Sequence, residues 1–182
     1  MFKKLDILDE KEKILRKKSQ DVIFPLSKED KKLIQQAIDE LTYSQIEEYA
    51  KKYTLRPGMG LAFPQLGLLK RIIIIVHEVK PGTFDNYVFI NPKIISNSEE
   101  KIAAEAGEGC LSVNREVEGH IPRYARVTIE GFDEDGNKIK VRAREELAIA
   151  FQHEIDHLEG ILFYDHINKN KPFYTEDEMR LI

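Results

Sequence analysis

The chain has 182 residues and a formal net charge of −4, with 28 Lys+Arg against 32 Asp+Glu, so it lacks the basic surplus of a nucleic-acid binder. At 42% hydrophobic and 33% charged it has an ordinary globular balance, which argues against a disordered chain. No apolar stretch approaches the roughly 20 residues that cross a bilayer, and the opening MFKKLDILDEKEKILRKK has no apolar signal core after its basic residues. These features lead us to expect a cytoplasmic protein, without sequence-specific nucleic-acid binding and without a membrane.

No repeat, low-complexity tract or linker divides the sequence, so residues 1–182 are expected to form a single domain. A first region ends near Pro25. Ser27 has the character of a helix N-cap, with Asp30 three residues on. Leu33, Ala37, Ile38, Leu41 and Ile46 follow at helical spacing, predicting an amphipathic helix to about residue 51. Arg56-Pro57-Gly58-Met59-Gly60 then marks a loop.

The run Arg71–Val76 (RIIIIV) predicts a strand buried on both faces. Tyr87–Asn91 and Ile94–Ser96 are weaker strand signals on either side of Pro92. Arg126–Phe132 and Lys138–Arg142 alternate apolar with polar residues around Asp133-Glu134-Asp135-Gly136-Asn137, which predicts a hairpin. A second helix is expected from about Arg144 to Leu158, apolar on more than one face and capped by Gly160. The class is α+β: mixed and antiparallel strands around a central helix, with an N-terminal helical region.

That second helix carries His153-Glu154-Ile155-Asp156-His157. Residues four apart stack on one helix face, so both imidazoles can reach one metal ion, with Glu154 close enough to act on water there. The pattern belongs to metal-assisted hydrolysis. Catalytic sites of this kind usually take a third protein ligand. The candidates are Cys110, an acidic side chain, or His77, His120 or His166. Cys110, the one cysteine, lies in Glu108-Gly109-Cys110-Leu111-Ser112. Gly109 there is expected to allow close backbone approach, and a thiolate suits a borderline metal.

Three segments in order resemble peptide deformylases. Gly58-Met59-Gly60-Leu61-Ala62-Phe63-Pro64-Gln65 is similar to that family's G-x-G-L-A-x-x-Q motif. Glu108–Ser112 matches E-G-C-L-S, and Gln152–His157 matches Q-H-E-x-D-H. The stretch between the first two motifs, and Phe163-Tyr164-Asp165-His166, resemble the longer form found in many Gram-positive bacteria. The chain departs from the family at Phe63, where a second alanine is common.

The resemblance implies a hydrolase of protein biosynthesis that removes the formyl group from the N-terminal formyl-methionine of nascent polypeptides. It implies Cys110, His153 and His157 as ligands of one divalent ion, Fe²⁺ in the family, though Zn²⁺, Ni²⁺ or Co²⁺ also suit the set. Glu154 would be general base and acid, with the Gln65 amide and the Leu111 backbone N–H as oxyanion donors. Met59, Gly60, Gly109, Ile149 and Ala150 would line the substrate path. Formyl-methionyl nascent peptides are the implied partners, with transient ribosome contact. Glu108 is expected to orient the Cys110 loop through Arg123 or Arg144, or else to be solvated.

Two competing readings remain at this level. One is a zinc peptidase using a downstream ligand such as Glu159 or His166. The other is a non-catalytic paralogue, against which the presence of Glu154 and Gln65 argues.

Overall fold

A computed structural model describes residues 2–182. Its main sheet has five antiparallel strands in the order β1-β2-β3-β6-β7. These are β1 (Gly60–Ala62), β2 (Ile72–Lys80), β3 (Thr83–Asn97), β6 (Arg126–Phe132) and β7 (Lys138–Arg144). A second sheet sets β4 (Lys101–Ala103) between β5 (Arg123–Tyr124) and β8 (Arg180–Leu181), with β8 parallel to β4.

The RIIIIV run explains how the layers form. Ile72, Ile74 and Val76 pack with Ile34, Ala37 and Leu41 of the first helix, α1 (Lys28–Ser44). Ile73 and Ile75 point to the opposite face and pack with Ala148, Phe151, Ile155 and Leu158 of α3 (Glu145–Leu158). Strand side chains alternate faces, so a continuous apolar run is what a strand covered on both sides requires. All five residues Ile72–Val76 are fully buried, as the sequence predicts.

Ser27 caps α1 as expected: its Oγ accepts the Asp30 N–H at 3.0 Å. The Asp30 carboxylate, itself buried, accepts Lys70 Nζ at 2.7 Å. The predicted helix to residue 51 is instead two. α1 stops at Ser44 and α2 (Glu47–Tyr53) follows after an extended Ile46. Gln45 accounts for the break, because its Nε2 donates to Leu41 O, Gly58 O and Val76 O, tying the end of α1 to the β1–β2 region.

The two weak strand signals around Pro92 prove to be one strand, β3, with a bulge between Ile90 and Lys93. Pro92 has no N–H to give the ladder, and Asn91 takes a positive φ of 52°. The Asn91 side chain closes the gap, accepting from Val22 N at 2.7 Å and donating to Val22 O at 3.0 Å. The β6–β7 hairpin forms as predicted, with the Asp133 carboxylate accepting the N–H groups of Asp135 and Asn137.

Gly160 follows the C-terminus of α3 at φ 73°. A Cβ there would lie 2.6 Å from the Arg16 carbonyl, so the glycine also lets the N-terminal segment pass behind the helix.

Phe63 is fully buried in the α1-side cluster with Leu61, Ile72 and Ile90. The aromatic ring therefore fills a core that this chain has built around it. Phe63→Ala should lower unfolding free energy by about 4 kcal/mol, measured by denaturant titration, with metal content unchanged. A loss below about 1 kcal/mol would mean that the core closes over the missing ring.

Candidate active site

The central helix passes under the sheet with its C-terminal half buried. His153, Glu154 and His157 are each less than one-tenth exposed. Cys110 comes from the long connection between β4 and β5 and is also buried. One ligand atom from each of Cys110, His153 and His157 lies within 4.8 Å of the others. Cys110 Sγ and His157 Nε2 are 3.3 Å apart. A cysteine sulfur and two imidazoles brought this close fit one divalent ion.

His153 is oriented from behind. Its Nδ1 meets Glu108 Oε2 at 2.8 Å, which turns the other ring nitrogen toward the cluster. Its ring also stacks on Phe163, with centroids 5.8 Å apart and an interplanar angle of 18°. Arg123 grips Glu108 with Nε at 2.7 Å and Nη2 at 3.0 Å, and reaches Asp156 Oδ2 at 2.6 Å with Nη1. Asp156 in turn meets His166 Nε2 at 2.7 Å.

Of Arg123 and Arg144, Arg123 is the partner of Glu108 and Arg144 is not. His166 is engaged with Asp156, and Glu159 binds Arg71 and Lys18, so neither joins the cluster. That removes the downstream ligands a zinc peptidase would need. His120, another candidate third ligand, also lies outside the cluster: it is buried, and its Nδ1 accepts the Tyr174 N–H at 2.9 Å.

The Glu154 carboxyl is pushed up to about 7 by burial, against the pull of nearby His153. Its Oε2 is buried without a hydrogen-bond partner. A carboxyl poised near neutrality beside a ligand cluster suits proton transfer. Gly60 is required by this placement. A Cβ on residue 60 would stand 2.7 Å from both Cγ and Cδ of Glu154. Gly109 behaves differently from expectation, since a Cβ there meets nothing within 4 Å and no close backbone approach demands a glycine.

Gln65 is 1% exposed and held by both ends of its amide. Oε1 accepts the Ala62 N–H at 2.9 Å, which leaves Nε2 facing Ser112 Oγ at 3.0 Å and Cys110 Sγ at 3.6 Å. The Ala62 donor thus determines which way the amide points. Leu111, next to Cys110, shares a cavity of about 540 Å³ with Met59, Gly60, Gln65, Ile149 and Ala150. Gly109, His153 and Glu154 open on the same cavity.

Arg56 joins the site without a mark in the sequence. Its Nη2 donates to the carbonyls of Cys110 and Val113, both at 3.0 Å, fastening the cysteine loop beside the Gly58–Gly60 turn. An arginine before a Pro-Gly pair carries no signal of such a role.

Burial raises the Glu108 carboxyl, but the hydrogen bonds from His153 and Arg123 outweigh it and bring it to about 2 from an ordinary 4.5. A depressed carboxyl stabilises the fold above its unfolded value and loses that contribution as pH falls through its folded value. Metal-free Glu108→Gln should therefore be less stable than the parent by about 3 kcal/mol at pH 7. The gap should shrink between pH 4.5 and pH 2. A gap independent of pH in urea titrations would show that Glu108 is not ionised in the fold.

The polypeptide deformylase family profile matches residues 4–173. A peptide deformylase 2 of Bacillus anthracis is 46% identical over 172 residues, covering 94% of each chain. A peptide deformylase of Listeria monocytogenes serotype 4a is 51% identical over 175 residues, covering 96% of this chain and 95% of its own. Both are of the Gram-positive type that the loop lengths resemble. Among solved structures, the peptide deformylase of Thermus thermophilus superposes with a TM-score of 0.72 at 32% identity, covering 91% of this chain and 87% of that one. That of Thermotoga maritima superposes with a TM-score of 0.70 at 29% identity, covering 90% and 97%. With sequence and fold in agreement along nearly its whole length, this chain belongs to the polypeptide deformylase family of enzymes.

Proposed function

We propose that residues 1–182 act as a single catalytic domain that hydrolyses the formyl group from the N-terminal formyl-methionine of newly made polypeptides, releasing formate. One divalent ion is held by Cys110, His153 and His157. The observation that carries this assignment is the convergence of those three ligand atoms beside a buried carboxyl with an unpartnered oxygen.

When bound, the ion supplies Lewis acidity, which polarises a carbonyl and makes water easier to deprotonate. Glu154 takes a proton from the attacking water and later gives one to the leaving amine nitrogen as the C–N bond breaks. The Gln65 Nε2 and the Leu111 N–H donate to the oxygen that gains negative charge at the formyl carbon. The Ala62 N–H holds the Gln65 amide with Nε2 facing the cysteine, so that Nε2 has only to exchange its contact with Ser112 Oγ or Cys110 Sγ for the developing oxyanion.

The peptide lies extended along Met59-Gly60. Support comes from the place of β1 at the edge of the sheet, where main-chain groups remain for strand addition. Such contacts read no side chain, which suits an enzyme that must accept varied nascent chains. Ile149 and Ala150, one helical turn before the ligand pair, form walls for the methionine side chain. Gly109 leaves open space beside the cysteine for the substrate to pass. The site of action is the cytoplasm, with transient contact at the ribosome, where formylated chains emerge. Among the described residues, no helix is long and apolar enough to cross a membrane.

The ion we propose is Fe²⁺, by resemblance to the family. Iron beside a thiolate is oxygen-sensitive, so activity of anaerobically purified protein should decay in air and return on loading Ni²⁺ or Co²⁺. Air-stable turnover in a sample shown by metal analysis to hold only iron would refute the assignment.

Glu154→Ala should keep its metal yet lose at least about 10³-fold in kcat on formyl-Met-Ala-Ser. Formate release and metal content are measured on the same sample, and near-normal turnover would sink this mechanism.

A further inference from the structure

The last residues of the chain return to the active-site cavity. β8 joins β4 in parallel, pairing Arg180 with Ile102 and Leu181 with Ala103. Ile182 continues the ladder, donating its N–H to Ala103 O at 3.0 Å and accepting the Glu105 N–H at 2.9 Å. These bonds present the Ile182 side chain, 39% exposed, to the same cavity that contains Cys110, Glu154 and Ile149. Ala104, the neighbour of Ala103, lines it too and packs against the cluster of Ile102, Ala125 and Ile149. The apolar end of the cavity is therefore built from two parts of the chain far apart in sequence: α3 and the C-terminal strand.

Arg180 anchors this arrangement. Its Nη1 and Nη2 donate to the two carboxylate oxygens of Glu145 at 2.8 Å each, and its Nε to Glu100 at 2.9 Å. Glu145 is the first residue of α3 and holds a φ of 54°, the left-handed region that glutamate seldom adopts. One guanidinium thus ties the strand that offers Ile182 to the start of the helix that carries Ile149. The paired, planar geometry is one that lysine cannot reproduce.

We infer that Ile182 is a specificity-determining wall of the substrate cavity, closing its apolar end against the side chain of the formylated residue, and that Arg180 is the positioning residue that holds it there. The inference rests on the proposed role of Ile149 as a methionine wall. The substrate class it selects is a formyl-peptide whose first side chain is long and apolar. Removing the isoleucine side chain takes away apolar contact made in the ground state and the transition state alike, so the effect falls on KM rather than kcat.

The test compares metal-loaded wild type, Ile182→Ala, Ile182→Leu and Arg180→Gln on formyl-Met-Ala-Ser and formyl-Ala-Ala-Ser. Metal content and unfolding midpoint are checked on each. Ile182→Ala should raise KM for the methionine peptide roughly five-fold with kcat within about two-fold, leaving the alanine peptide almost unaffected. The kcat/KM preference for methionine therefore narrows by about the same factor. Ile182→Leu should restore it. Arg180→Gln should shift KM in the same direction with kcat preserved, a split that general loosening of the fold would not give. Equal losses on both peptides, or an Ile182→Ala profile identical to wild type, would overturn the inference while leaving the deformylase reading intact. A wild type inert on formyl-Met-Ala-Ser would sink that reading and this inference with it.

Discussion

Glu108 stands where three pieces of chain meet: the loop that carries Cys110, the short strand β5 that carries Arg123, and the helix that carries His153. Its side chain and that of Arg123 are 5% and 3% exposed. A buried charge without a partner costs several kcal/mol, so neither group is tolerable alone. The carboxylate therefore draws Arg123 and the His153 ring to itself, and the ring orientation follows. Asp156, one residue before His157, takes the remaining arm of Arg123. The same ionic contact that keeps the loop and helix together also aims a ligand nitrogen.

The sheet makes that arrangement possible by burying α3 so fully. Ile73, Ile75, Phe89, Val127 and Ile129 form an apolar floor, and Phe151 meets Phe89 edge-on at 5.5 Å. The helix can then carry His153, Glu154 and His157 away from bulk water without losing its place. Burial has two consequences there. It raises the Glu154 carboxyl toward neutrality, and it makes the local geometry intolerant of added bulk, which is why residue 60 has no side chain. Fold and chemistry are coupled through that one position on β1.

The α3 helix, its histidine pair and the carboxyl beside them were readable because they are local. Four-residue spacing on a helix is fixed by backbone geometry, whatever lies around it. The double-sided strand at Ile72–Val76 and the Asp133–Asn137 hairpin were readable for the same reason. What local pattern did not reveal was the end of α1, which Gln45 sets by reaching carbonyls at Gly58 and Val76. Nor did it show β3 as one strand, because Pro92 interrupts the pattern while Asn91 bridges the interruption with Val22. The choice of Arg123 over Arg144, and the part played by Arg56, depend on contacts between residues distant along the chain.

By itself the sequence determined the chemistry available: one cysteine, a histidine pair at helical spacing, a glutamate beside them and a glutamine in a glycine-rich turn. Those side chains define their possible reactions wherever they are placed. Only the tertiary structure decided which of them meet, how deeply they are buried and what closes the cavity around them. The tail after Asn168 makes the difference plain. Read as sequence it carries no recognisable chemistry, yet its ladder with β4 returns Ile182 to the cavity. The physical reason is that a parallel strand is specified by the backbone groups of its partner rather than by a motif of its own.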